Sequence, residues 1–199
     1  GRGIPETGTT TFRPPYSPIA IAALGARAQG KGFAPQRFTT SHQQTIEMGA
    51  PMIEAGMWYR PSYFPRPGEK TWRQACDREV TMVREAVGIC DVSTLGKIDV
   101  QGPDAAAFLD FVYTNTMSTL PVGKVRYGLM LREDGIAMDD GTAARLDEDH
   151  FVVTTTTANA GKVYQHMEFV RQCLYPDLDV QLISTTESWA QYAVAGPNS

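Results

Sequence analysis

No run in this 199-residue sequence is apolar for long enough to form a membrane helix, which needs roughly 18–20 such residues. The longest stretch of small apolar residues, IAIAALGA at Ile19–Ala26, is far shorter. It also lacks the basic n-region and small-residue cleavage site of a secretory signal. Cysteine is scarce: Cys76, Cys90 and Cys173 are widely spaced and odd in number, with no CxxC. That pattern excludes a disulfide framework and a cysteine zinc site. The thiols read as reduced ones in a cytoplasmic protein, with Cys90 in VGICDVS read as a small buried hydrophobe. Positive charge is not in excess either, with 18 Lys and Arg against 22 Asp and Glu and a net charge of −4. Phosphate backbones want the opposite balance, so nucleic acid is not the expected partner. The three histidines, His42, His150 and His166, are scattered without metal-ligand spacing. No GxSxG, no P-loop and no GxGxxG after a strand is found.

What is present is an ordinary globular composition, 42% apolar and 20% charged. Residues 1–40 differ from the rest. They are dense in Gly, Pro, Thr and Arg (GRGIPETGTTTFRPPYSP, then ARAQGKGFAPQRFTT). Such a composition favours extended or irregular backbone. It predicts a linker, or an arm anchored by Phe12, Tyr16, Phe33 and Phe38. Residues 41–199 read as the folded part. The chain opens without Met and stops at AVAGPNS directly after a strand-like run, which predicts a piece of a longer chain.

Within 41–199 the periodicity alternates between helix and strand. SHQQTIEMGAPMIEAGMWYRP predicts a short helix, then an extended segment with Trp58. TWRQACDREVTMVREAVGIC predicts a helix with Ala75, Val80, Val83 and Val87 on its apolar face and Gly88 as its stop. CDVSTLGKIDVQG predicts a strand broken at Gly96, with Asp91 and Ser93 as turn formers. GPDAAAFLDFVYT predicts a helix with Pro103 in its first turn and Phe108, Leu109 and Val112 facing inward. PVGKVRYGLMLREDG predicts a strand ending in a turn at Glu133–Gly135. A hairpin follows, with one strand over Ala137–Leu146, a turn at Asp147–His150 and a return strand. NAGKVYQHMEFVRQCL predicts a helix with Val163, His166, Met167 and Val170 on one face. DVQLISTTESWAQYAVAG predicts two more strands. Consecutive antiparallel hairpins mixed with helices give an α+β fold. VQGPDA (Val100–Ala105) and VAGPNS (Val194–Ser199) echo one another, each a strand running into Gly-Pro.

Asp139 and Asp140 are adjacent near the start of the Ala137–Leu146 strand. Strand side chains alternate between faces, so the two acids part company. Asp140 shares a face with Met138, Thr142, Ala144 and Leu146, the more apolar set. Asp139 shares the other with Gly141, Ala143 and Arg145, better suited to solvent. An acid on an apolar face is costly when ionised, its pKa rises by desolvation, and it is suited to moving a proton. The expectation is therefore Asp140 functional and Asp139 exposed. A register slip of one residue would reverse it, and paired acids at a turn also cap backbone amides. Tyr127 is expected on the neighbouring strand, as packing with a wet hydroxyl or as a ligand contact. Asn159, where strand turns to helix, reads as an N-cap.

Three segments carry a resemblance: REAVGICDVSTLGKIDVQGPDAAAFLDFVYTN (Arg84–Asn115), GKVRYGLMLREDGIAMDDG (Gly123–Gly141) and VVTTTTANA (Val152–Ala160). They resemble the tetrahydrofolate-binding aminomethyltransferases, the family of the glycine cleavage T-protein, dimethylglycine dehydrogenase and the α subunit of heterotetrameric sarcosine oxidase. The T-protein carries His-Met-Gly after Asp-Val-Ser. Here Thr94 and Leu95 precede Gly96, and that variant, with PETGTTTFRPPYSP ahead and WAQYAVAGP behind, is similar to the sarcosine oxidase branch. The resemblance implies the T-protein-like α+β fold, with a mostly antiparallel sheet and flanking helices, cut short at its C-terminal end. It implies oxidation of sarcosine at a flavin on a partner subunit and transfer of the one-carbon unit to tetrahydrofolate. The products would be glycine, hydrogen peroxide and 5,10-methylenetetrahydrofolate, or formaldehyde without folate. FAD, FMN and NAD are implied for the whole enzyme, with β, γ and δ subunits as partners. The family's catalytic acid, the second of an Asp-Asp pair, falls at Asp140. Tyr127, Asn159, Thr156 and Leu95 are the implied folate-binding residues, Thr156 standing where the family has a second Asn. A dimethylglycine-type enzyme, a glycine cleavage aminomethyltransferase and a non-catalytic module of the same fold are the alternatives.

Overall fold

The computed structural model describes residues 36–199. In chain order its elements are β1 (Arg37–Phe38), α1 (His42–Glu47), β2 (Met52–Ala55), β3 (Trp58–Pro61), α2 (Trp72–Glu85), β4 (Gly88–Asp91) and β5 (Gly96–Gln101). They continue with α3 (Ala105–Val112), β6 (Val125–Leu131), β7 (Ala137–Asp147), β8 (His150–Thr155), α4 (Ala160–Phe169), β9 (Gln181–Ser184) and β10 (Tyr192–Ala195). A π-helical turn, Val170–Leu174, extends α4. The predicted arm lies outside the described residues except for its last five positions. There, β1 pairs in parallel with β3.

Five strands form the main sheet in the order β6-β7-β8-β5-β9, and every pairing within it is antiparallel. One face is dry. Met130, Ala143, Phe151, Val153, Ile98 and Val100 project from it and are buried with Phe108, Leu109 and Val112 of α3 and Val163 and Met167 of α4. Each large side chain buried in this layer contributes roughly 1.5–3 kcal/mol relative to exposure. No described helix layer covers the other face, on which Val125 and Ile183 are largely exposed. Two small sheets complete the architecture: β1-β3-β2, and β4 with β10. The α+β expectation holds.

The predicted elements recur nearly throughout, with four differences in detail. The apolar stripe of α2 is not a core face: Ala75 is fully buried, but Val80 is 54% exposed. The helix is held instead by its start, where Thr71 and Gln74 form a reciprocal capping box. The preceding loop is fastened by Arg78, whose Nε donates to Glu69 Oε1 at 2.6 Å. Gly88 does not stop this helix. The helix ends at Glu85, with Ala86 as its cap, and Gly88 opens β4. Pro103 lies just before the helix cap Asp104 rather than in the first turn. Cys90 is exposed, not buried, and all three thiols are free.

The Gly-Pro echo has a backbone counterpart. Gly102 and Gly196 end β5 and β10 with φ of +134° and +130°. Each then accepts from the amide three residues on, Ala105 at 2.9 Å and Ser199 at 3.1 Å. At both glycines an added Cβ would collide with a backbone carbonyl oxygen, that of Asp179 and that of Ala86 respectively. Only glycine fits this combination of positive φ and close approach.

Candidate active site

The two acids do point to opposite faces, but the inner one is Asp139. Asp139 is 5% exposed and Asp140 is exposed. The ladder explains this. Met130 pairs with Asp139, and Ala143 with Val153. Met130, Ala143 and Val153 are core residues, so Asp139 joins the dry face. Asp140 pairs with Leu129 on the uncovered face. Apolar weight along β7 does not mark its inner face. The core-facing residues there are small, Gly141 and Ala143, and β8 lies close to the first of them. A Cβ at Gly141 would strike the Thr154 carbonyl. Arg145, read as a solvent marker, lies over the Phe151 ring with its Cζ 5.1 Å from the centroid. Its Nη1 donates to the Leu120 carbonyl at 2.9 Å. The apolar surroundings expected for Asp140 are therefore not found among the described residues.

Asp139 is fully engaged. The Thr156 amide donates to its Oδ2 at 2.9 Å, and the Asn159 side-chain amide to its Oδ1 at 3.1 Å. Asn159 also approaches the Met138 carbonyl at 3.4 Å. Asn159 does immediately precede α4, but its side chain caps nothing in that helix. Its side chain is directed at Asp139 in β7. On the other side of Gly128, the Tyr113 hydroxyl is buried without a hydrogen-bond partner. Burial pushes this phenol far above its ordinary pKa, and the nearby Asp139 charge pushes it further.

The open face collects the other predicted residues. Tyr127, 61% exposed, pairs with Thr142, while Asp140 pairs with Leu129. Tyr127 and Asp140 are thus diagonal neighbours on one face, within reach of an aromatic side chain. Thr156 is exposed at the end of β8, and its amide is tied to the residue before Asp140. Leu95, half-buried, precedes Gly96, which pairs with Thr155. Leu95 and Thr156 therefore continue outward side by side. Four of the five predicted residues, Asp140, Tyr127, Thr156 and Leu95, lie toward one end of the sheet. Cavities of about 510 and 310 Å³ lie elsewhere, against α2 and beside Arg37–Thr40. At the Asp140 end, Asp140, Tyr127 and Thr156 are all exposed among the described residues.

Residue types alone did not reveal a second polar cluster. Lys97 is buried, and its ammonium donates to the Ser93 carbonyl at 2.8 Å. Burial lowers its pKa, opposed in part by Asp91. Burial on its own would raise the Asp91 carboxyl, but hydrogen bonds from Ser41, Ser93 and Thr39 hold it below the usual value. The Ser93 amide donates to Asp91 at 2.9 Å, the expected turn. The Ser41 contact to Asp91 spans 50 residues, beyond any local pattern.

A family model described as the GCVT N-terminal domain matches residues 41–199. The α subunit of sarcosine oxidase from Rhizobium meliloti (strain 1021) is 54% identical over 194 residues, covering 98% of this chain and 20% of that protein. The corresponding subunit from Corynebacterium sp. (strain P-1) is 46% identical over the same coverage. The aminomethyltransferase of Thermotoga maritima is 30% identical over 161 residues, 81% of this chain and 41% of that protein. The crystal structure of glycine cleavage system aminomethyltransferase T from Bartonella henselae superposes with a TM-score of 0.70 at 23% identity, covering 81% of this chain and 41% of that one. The chain spans about a fifth of the length of the sarcosine oxidase subunits it matches. With its T-protein-like fold and a domain match across nearly all the described residues, the chain belongs to the GCVT N-terminal domain family.

Proposed function

We propose that this chain is the aminomethyltransferase-like part of a sarcosine oxidase α subunit, and that the Asp140 end of its open sheet face serves one-carbon transfer to tetrahydrofolate. Tetrahydrofolate, when bound, supplies the amine nitrogen that takes up the carbon released from sarcosine. The observation that carries the reading is the pairing of an exposed carboxylate, Asp140, with an exposed aromatic ring, Tyr127, on one uncovered face. A flat heteroaromatic ligand with exchangeable N–H groups fits such a surface: the ring offers stacking area and the carboxylate accepts N–H hydrogens.

In this reading Asp140 is the proton-handling group. Its carboxylate holds the hydrogen on the reacting amine and takes it as the carbon–nitrogen bond forms. Tyr127 orients the ring, and Thr156 and Leu95 border it. Flavin, nicotinamide and the other subunits belong to the remainder of such an enzyme; none of the five site residues is assigned to them.

The test is Asp140→Asn in the complete sarcosine-oxidising enzyme. Methylenetetrahydrofolate formed per sarcosine oxidised should fall 10²-fold or more, within the range for a general acid–base group. Free formaldehyde should rise to match. Unchanged folate coupling would remove Asp140 from the mechanism and favour a non-catalytic module of this fold.

A further inference from the structure

The residue behind the proposed acid has a more specific geometry than the acid itself. The β7–β8 ladder stops at Ala143–Val153. Between that pair and Asp140, side chains take over from backbone pairing. The Thr142 amide donates to Thr154 Oγ1 at 2.8 Å, and the two threonine hydroxyls lie 2.8 Å apart. Beyond them, Asp139 receives Thr156 and Asn159. The Thr156–Asn159 turn is fastened from other sides as well. Its Asn159 amide donates to the Thr156 carbonyl at 3.0 Å. Thr157 and Thr94 share a buried hydroxyl contact at 3.0 Å. Gly56 packs on Ala158 so closely that a Cβ would leave only 2.9 Å. The ties to β7 run through the Asp139 carboxylate, with a longer contact from the Asn159 side chain to the Met138 carbonyl at 3.4 Å.

A buried carboxylate is costly unless paired or hydrogen-bonded. Here it stands on the core face of the sheet, paired with the buried Met130. An apolar residue would satisfy the core at that position but could not receive two N–H donors. We propose that Asp139 is a positioning residue for the one-carbon site: its carboxylate locks the Thr156–Asn159 turn to the strand that carries Asp140, where the ladder no longer does so. Leu95 and Thr156 on one side and Asp140 and Tyr127 on the other then keep a fixed separation. The inference rests on the folate reading of the preceding subsection.

The experiment uses the complete enzyme with Asp139→Ala, Asp139→Asn, Asn159→Ala and the exchange Asp139→Asn/Asn159→Asp. Coupling is measured at saturating tetrahydrofolate and expressed per sarcosine oxidised. Misplacing a reacting group by about 1 Å can cost 10²-fold, so Asp139→Ala should lower saturated coupling by about 10- to 100-fold. Asp139→Asn, which keeps one acceptor, should lie between, and the exchange should recover part of the loss. Deuterium uptake in a peptide spanning 151–159 should rise in Asp139→Ala and Asn159→Ala. A purely structural role would lower melting temperature and oxidation while leaving coupling per sarcosine oxidised intact, and would overturn the proposal. Wild-type uptake and coupling in Asn159→Ala would overturn it too, even if Asp139→Ala fails to fold. If Asp140→Asn leaves coupling unchanged, the folate reading fails. If Asp140→Asn uncouples but Asp139→Ala does not, only this inference fails.

Discussion

Tyr113 combines a ring that the fold needs with a hydroxyl that it does not pair. The ring lies against Gly128, where a Cβ would clash with it. The hydroxyl is buried and unpartnered. A buried polar atom without a partner costs about 1–3 kcal/mol. Tyr113→Phe should therefore be neutral or raise stability by about 1 kcal/mol in urea denaturation. A loss of more than about 1 kcal/mol would mean the hydroxyl is satisfied, with a water bridging it to Asp139. Asp91 makes a pH prediction. Its folded-state pKa lies below the unfolded value because Ser41 and Ser93 hydrogen bonds outweigh burial. The resulting stability is present above the unfolded value, about 3.9, and is lost as pH falls through the lower folded value. Asp91→Asn should thus reduce the urea midpoint at pH 7 and flatten its decline between pH 5 and pH 2. An equally steep decline in the variant would assign the acid limb to other carboxylates.

At the scale of elements, β7 shows what a sequence can and cannot reveal. Its span, its partners and the turn after it were legible, because apolar alternation between glycine-marked turns leaves few other structures. The fold class and the helix α4 were legible for the same reason, with Val163, Met167 and Val170 all buried as expected. Which face of β7 turns inward was not legible. Gly141 and Ala143 carry little hydrophobic weight, yet they lie on the inward face, Ala143 fully buried and Gly141 close against the Thr154 carbonyl. Arg145 is covered by its own stacking on Phe151. The grouping of Asp140 with Tyr127 needed the β6–β7 register, which no local pattern contains. The engagement of Asn159 with Asp139 was invisible because it crosses from one strand to the next turn. α2 failed differently: its stripe is amphipathic as predicted, but no described element lies against much of it. Gly141→Ala tests the close approach. The added methyl would force β7 from β8 at the Thr154 carbonyl, and overpacking of this kind costs about 1–3 kcal/mol. A cost below about 0.5 kcal/mol would show that the strands separate freely there.

On the scale of the molecule, the β4–β10 pair carries an apolar strip among the described residues. Ile89, 70% exposed, pairs with Val194, and Val194 and Tyr192 are exposed with it. Exposed apolar side chains grouped in this way favour association. The 199-residue chain expressed alone should therefore self-associate at micromolar concentrations in sedimentation velocity. Paired charges placed at Ile89 and Val194 should suppress this without lowering helix or strand content by circular dichroism. A monomer at all concentrations would show that this surface is tolerated by itself.

The pairing of β4 with β10 bears on the order in which the protein folds. The Val92 amide meets the Gln191 carbonyl at 2.9 Å, and the Asn198 amide meets the Ala86 carbonyl at 3.0 Å. The Gln191 amide donates to the Ser93 hydroxyl at 2.9 Å, across 98 positions. Closing so long a loop is entropically expensive before any contact rewards it, and high sequence separation slows folding. The five-stranded sheet has mostly nearer partners: β6, β7 and β8 are consecutive hairpins. A ribosome-bound chain could therefore assemble that sheet's centre and its Asp139 lock while β4 still waited for its strand. The proposed site and the β4–β10 closure would then belong to separate kinetic steps.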